Sequence, residues 1–232
     1  MQRVRSRRVA GDAGLPAMPA TGSTDHVREC VMAAPSQDFI VEVCAIADVR
    51  LVRPARFADS RGIFSEVYNR QAYAAAGIDI EFVQDNHARS RNRGTVRGLH
   101  FQAPPHGQDK LVWVSRGAIF DVAVDVRHGS PTFGKHASAI LSADSGAVML
   151  VPKGFAHGYC TLEADTDVIY KVSAYYAPAH DVGLLWDDPA LAIPWPIAPD
   201  AAILSERDRR HPTLSELPRA FTYEPPISGG IS

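Results

Sequence analysis

Four residues in the middle of the chain, His100, Gln102, Lys110 and His157, stand at spacings that chemistry could use. Three lie in the runs Gly94-x5-His100-x-Gln102 and Lys110-x6-Gly117, and the fourth closes Gly146-x5-Pro152-x-Gly154-x2-His157. Two histidines raise the question of a metal, and the lysine argues against one. An ammonium has three donors and no lone pair to give a metal. Two histidines, a glutamine and a lysine make a poor site for zinc or iron. The same lysine suits a different task, because it can stabilise negative charge developing on an oxygen, as an enolate requires. A histidine titrates near neutrality and can exchange protons there. These residue types suit stabilisation of a negative oxygen better than they suit a metal.

Strands must position these groups. "KLVWVSRGAIFDVAVDVR" reads as two strands broken at Arg116-Gly117. In the second, Ala118, Phe120, Val122, Val124 and Val126 share one face, and Ile119, Asp121, Ala123 and Asp125 share the other. Asp121 and Asp125 on such a strand are expected to be buried and hydrogen-bonded. "ASAILSADSGAVMLVPKG" repeats the pattern with Ser-Gly at the turn, and "TDVIYKVSAYYAP" is a β-branched and aromatic run ending at a proline. Short strands at near-regular spacing, punctuated by Gly and Pro, predict an all-β sandwich or barrel. Helical candidates are few: "NRQAYAAAG", ended by Gly77, and a turn around Ser205 to Arg210. Residues 1–38 are rich in Ala, Gly, Pro, Ser and Arg and read as a disordered extension. Order is expected from Phe39, where "FIVEVCAI" resembles a first strand, through residue 221, with residues 222–232 a loosely held tail.

Composition removes several classes. Net charge is −2, so nothing global favours a nucleic-acid partner. Cys30, Cys44 and Cys160 fit neither a disulfide framework nor a CxxC metal site, which favours a reducing cytoplasm. No apolar run approaches the ~20 residues of a membrane span. The arginine-rich start lacks the apolar stretch of a signal peptide. With no GxGxxG, Walker or fitting GxSxG segment, dinucleotide and serine-hydrolase chemistry find no support.

The two spacings resemble the motifs of the cupin superfamily, a jelly-roll β-barrel with a few short peripheral helices. In metal-binding cupins, Gln102 would be a second histidine and Lys110 a glutamate. A closer resemblance rests on "FVQDNHARS", "VRGLHFQ", "GQDKLVWVSRGAIFDVAVDVRHGSPTFG", "VPKGFAHGY", "IYKVSAYYAP" and "LLWDDPALAIPWP". In this order they are similar to the dTDP-4-dehydrorhamnose 3,5-epimerase family. The match runs from about Phe39 to about Asp208.

That resemblance implies roles. His100 matches the general base, Asp208 the carboxylate that pairs with it, and Tyr170 the acid on the opposite face of the sugar. Lys110 and Arg97 match polar groups near the ketone and the diphosphate. Phe57, Arg61 and Glu66 match residues that hold the nucleotide, some from a dimer partner. Gln84, Asp85, Asn86 and His157 match further substrate contacts, and Tyr175 an aromatic beside the sugar or base. Asp181 stands where glutamate is usual and Arg207 where lysine is common, so both are expected near substrate with altered reach.

The implied reaction is epimerisation at C3 and C5 of dTDP-4-dehydro-6-deoxy-D-glucose by a homodimer, with no cofactor and no metal. In a 4-keto sugar both carbons adjoin the carbonyl, and inversion by proton removal and return needs no redox partner. A single-centre epimerase, a metal cupin and a non-catalytic sugar-nucleotide binder are the rival readings.

Overall fold

The structure, a computed structural model, describes residues 39–225. The expectation of a disordered extension over residues 1–38 lies outside the described residues. Fifteen strands follow one another: β1 Phe39–Val43, β2 Arg50–Pro54, β3 Phe57–Asp59, β4 Gly62–Phe64, β5 Gln84–Ser90, β6 Val96–Gln102, β7 Lys110–Arg116, β8 Ala118–Asp125, β9 Arg127–His128, β10 His136–Ser142, β11 Val148–Val151, β12 Phe155–Thr161, β13 Thr166–Val172, β14 Asp181–Gly183 and β15 Phe221–Thr222. One α-helix, α1 (Arg70–Ala75), and three 3-10 turns complete the described chain. The α-helix falls where the sequence places it, and Asn69 caps it by accepting bonds from the Gln71 and Ala72 amides.

Two antiparallel sheets face each other in the jelly-roll arrangement that the motifs predict. One has the order β1-β2-β11-β7-β13-β5 and the other β10-β8-β12-β6-β14. The break at Gly117 sends β7 into the first sheet and β8 into the second. The Ser145-Gly146 turn likewise carries the chain across, from β10 to β11, rather than closing a hairpin within one sheet.

Strand β8 explains the core. Its Ile119 and Ala123 pack with Val112, Val114, Met149, Phe155 and Val168 between the sheets. Its opposite face, Val122 and Val124, packs with Leu99, Phe101, Leu184 and Leu217. Each large apolar side chain so buried contributes roughly 1.5–3 kcal/mol before entropy is counted. Both faces are covered, so the strand reads as a near-continuous apolar run interrupted only by Asp121 and Asp125, which point to the inter-sheet side. The C-terminal end is held further along than its composition suggests. β15 pairs in parallel with β9, the Tyr223 amide donates to the His128 carbonyl at 2.8 Å, and the Arg127 guanidinium lies over the Tyr223 ring.

Candidate active site

Strand β6 lies between β12 and β14, and the register puts His100 opposite His157 on one side and Gly183 on the other. Close approach at this point needs glycine. Gly98 has φ +107°, and a Cβ there would strike the backbone of His157 and Gly158, beside the register shift between His157 and Tyr159. The sheet opposite supplies Lys110 at the start of β7, Tyr170 on β13, and Gln84 and Asn86 on β5. Base and acid candidates therefore come from opposed sheets.

The groups meet in a cavity of about 220 Å³ lined by Gln84, Asn86, His100, Lys110, Tyr170 and Asp181, among others. An adjoining hollow of about 290 Å³ shares His100, Lys110 and Tyr170 and adds Arg97, His157, Tyr159, Arg207 and Asp208.

His100 Nε2 lies 2.7 Å from Asp208 Oδ1. Asp208 opens a one-turn 3-10 segment, Asp208–Arg210, and its amide donates to Ser205 Oγ at 3.0 Å. Burial would raise the Asp208 carboxyl, but the His100 bond and charge and the Ser205 bond outweigh it and hold the group below the usual carboxylate range. A carboxylate in this position fixes the Nε2–H tautomer and leaves Nδ1, which has no partner among the described residues, as the basic nitrogen.

Lys110 is buried, and Nζ donates to the His100 carbonyl at 3.2 Å. Burial pushes its ammonium down to about 8, while Asp181 and Asp121 pull it back up. His157 is buried with Nε2 2.7 Å from Asp121 Oδ1. Burial also raises Tyr170, against the pull of Arg97, so its hydroxyl keeps its proton at neutral pH.

Not every expected residue reaches the cavity. Asp85 alternates outward between Gln84 and Asn86 and pairs with Lys171 at 2.8 Å, because neighbouring residues of a strand face opposite ways. Tyr175 lies past the end of β13, 69% exposed. Its neighbour Tyr176 lines the cavity and donates to Asp181 Oδ2 at 3.1 Å. Phe57, Arg61 and Glu66 sit on or just after the exposed β3–β4 hairpin and do not line the cavity, and Arg61 pairs with Asp59. Asp181 and Arg207 bond each other at 2.8 Å.

Sequence reasoning missed His211. Its Nε2 lies 3.3 Å from Asp208 Oδ1 and 3.2 Å from His100 Nε2. The available signal was its place three residues after Asp208, one turn along the same segment. Burial and His100 lower its imidazole, against the pull of Asp208.

The cupin metal position does not fit a metal here. Gln102 spends its amide on the carbonyls of His106 and Tyr175 and on the Ala177 amide. Lys110 cannot ligate while charged, and His157 Nε2 is bonded to Asp121.

The dTDP-4-dehydrorhamnose 3,5-epimerase family profile matches residues 43–216. A dTDP-4-dehydrorhamnose 3,5-epimerase of Sinorhizobium fredii is 54% identical over 179 residues, covering 77% of this chain and 91% of that protein. The solved dTDP-4-dehydrorhamnose 3,5-epimerase of Bacillus anthracis, with TDP and PPi bound, is 51% identical with a TM-score of 0.70, covering 72% of this chain and 94% of that one. The Legionella pneumophila dTDP-6-deoxy-D-glucose-3,5-epimerase, solved with dTDP-4-keto-L-rhamnose, is 38% identical with a TM-score of 0.77, covering 80% and 99%. With its fold and its sequence in agreement, the chain belongs to the dTDP-4-dehydrorhamnose 3,5-epimerase family.

Proposed function

We propose that the chain epimerises dTDP-4-dehydro-6-deoxy-D-glucose at C3 and C5, giving dTDP-4-dehydro-L-rhamnose. One observation carries the reading: His100 on one sheet, paired with Asp208 from a 3-10 turn, shares a hollow with Tyr170 and Lys110 from the sheet opposite. His100 Nδ1 removes the proton at C3 or C5, and Asp208 supports the imidazolium that forms. Lys110, with His157, faces the 4-keto oxygen and stabilises the enolate. Tyr170 returns a proton from the other face, which inverts the centre without a nicotinamide. Arg97 and Arg207 supply positive charge for the diphosphate.

The protein acts as a homodimer in the cytoplasm. The β3–β4 hairpin exposes Phe57, Ile63 and Phe64, an apolar surface that suits a partner. A second subunit would bring Phe57, Arg61 and Glu66 to the nucleotide end of the cavity. Among the described residues no helix is long and apolar enough to cross a membrane.

Turnover of the dTDP-4-keto sugar in deuterated water tests the reading. Solvent deuterium is expected at both C3 and C5, with full turnover after exhaustive EDTA treatment. Exchange at one carbon alone would mark a single-centre epimerase, loss of turnover with EDTA a metal cupin, and no exchange a binding protein.

A further inference from the structure

We infer that His100, Asp208 and His211 form a chelating site for a zinc-class divalent cation, and that such a cation switches the enzyme off. Their ligand atoms all lie within 4.8 Å of one another. The separations are 2.7 Å (His100 Nε2 to Asp208 Oδ1), 3.2 Å (His100 Nε2 to His211 Nε2) and 3.3 Å (His211 Nε2 to Asp208 Oδ1). A tetrahedral zinc with ligands at about 2.0–2.1 Å sets neighbouring ligand atoms roughly 3.3 Å apart. Two of the three edges already have that length, and the third needs to open by about half an ångström. Two histidines and one carboxylate are also a ligand set that zinc accepts, with its fourth position left open.

The triangle is held on independent supports. His100 is fixed in β6. Asp208 is fixed by its amide bond to Ser205 Oγ. The His211 ring, whose side chain is 8% exposed, fills the space in front of Gly183 on β14, where any side chain would collide with it. The two rings meet edge to face, with centroids 5.1 Å apart. A cation can reach the triangle from two sides, through the hollow that contains His100 and Asp208 and through an outer cleft lined by Asp181, Glu206 and His211.

This set is distinct from the cupin metal position, where Gln102 and Lys110 stand. The built-in metal sites of enzymes give their histidines a second partner on the other ring nitrogen. Neither His100 Nδ1 nor His211 Nδ1 has one among the described residues, and Arg207 and Arg210 stand nearby. The site therefore takes a metal as an inhibitor rather than as a resident cofactor. A cation takes the Nε2 lone pair in place of the proton shared with Asp208, so the ring's one proton sits on Nδ1, which then has no lone pair to accept a proton from the sugar. The chelation rests on the triangle alone, and the inhibition rests on His100 being the base of the proposed reaction.

Calorimetric titration of the full-length protein with Zn²⁺, and visible spectroscopy with Co²⁺, test the site without reference to activity. One strong equivalent is expected, with Co²⁺ giving the intense d–d bands of low coordination. Losing even an outer partner of a ligand costs about 10–100-fold in affinity, so His211→Gln and Asp208→Asn should each weaken binding by more than tenfold. His106→Gln and His180→Gln, at a separate pair of tilted rings, should leave it unchanged. Absence of saturable binding, or binding indifferent to both His211→Gln and Asp208→Asn, would overturn the site. Deuterium wash-in should stop at one zinc equivalent and return with EDTA. Unimpeded wash-in by the zinc-loaded protein would overturn the inhibition. Absent wash-in by metal-free protein would instead count against the proposed reaction, while the Co²⁺ spectrum still judges the site.

Discussion

His157 and Asp121 lie 2.7 Å apart, the same separation as His100 and Asp208, and the two histidines sit opposite each other on adjacent strands. The pairs are built differently. Asp208 arrives from a distant turn, whereas Asp121 stands on β8, which pairs with β12 at Ala123↔His157 and Tyr159↔Asp121. Asp121 is fully buried, and its Oδ2 has no hydrogen-bond partner among the described residues. Its charge acts through space on Lys110, whose ammonium it helps to keep protonated. In the proposed reaction the inner pair sets up the cation beside the ketone, and the outer pair takes the proton.

Replacing His157 should therefore touch the enolate rather than the proton acceptor. In His157→Asn, wash-in of deuterium at C3 and C5 should fall together, by about 10²–10³ as for other lost oxyanion donors. A selective loss at one carbon would show that His157 positions the sugar instead.

The division between base and acid predicts two different defects. His100→Ala should remove exchange at both carbons, a loss of at least 10²–10⁴. Tyr170→Phe should spare exchange more than inversion, because the proton is still removed but no donor waits on the far face. Measuring deuterium content and product stereochemistry in the same NMR sample separates the two. Full epimerase activity in His100→Ala would remove this residue from the mechanism.

Lys110 carries a pH prediction whose sign follows from its environment. Burial favours the neutral amine and brings the group down to about 8. The ammonium needed at the ketone is present below that value and lost above it. The rate of exchange should fall as pH rises through about 8, and Lys110→Gln should be slow throughout and lack that alkaline fall. An alkaline limb that persists unchanged in Lys110→Gln would assign the titration to another group.

The sequence made the strands and the central pair legible for physical reasons. Alternation on β8 places Asp121 and Asp125 on the inter-sheet side, and a buried carboxylate must find a partner, so their hydrogen bonding follows. The same alternation turns Asp85 away from the cavity that holds Gln84 and Asn86, but a motif match taken position by position does not register it. Tyr175 and Tyr176 lie beyond the last residue of β13, where the period of two ends and only the course of the loop decides which ring faces inward. Asp181 and Arg207 each depart from the family pattern, and the structure reveals that they bond each other. A shorter acid met by a longer base is a compensation that neither position discloses alone. His211 lies three residues past Asp208, where the motif resemblance ends, so only the fold brings it to His100.

Away from the cavity, Asp125 is the residue on which stability should depend most visibly. It is fully buried and accepts from the Arg127 amide and guanidinium, from Ser130 Oγ and from Thr132 Oγ1. Arg127 in turn reaches Asp48 at 2.8 Å and lies over the Phe155 ring, so this one carboxylate ties β8 and β9 to the loop before β2. Burial pushes its carboxyl up, but the bonds from Arg127, Ser130 and Thr132 outweigh burial and hold it below the usual 3.8. A carboxyl depressed in the folded state contributes stability above its unfolded value, and that contribution fades as pH falls through the folded one. Asp125→Ala removes the fully buried member of the pair and leaves Arg127 only its partly exposed partner Asp48, a loss of about 3 kcal/mol. For a chain of this size that corresponds to a fall in Tm of roughly 10 °C. Urea titrations of both proteins between neutral and acidic pH should show a wide gap at neutrality that narrows as the acid limit is approached. A gap that stays constant across that range would mean that Asp125 acts by packing rather than by charge.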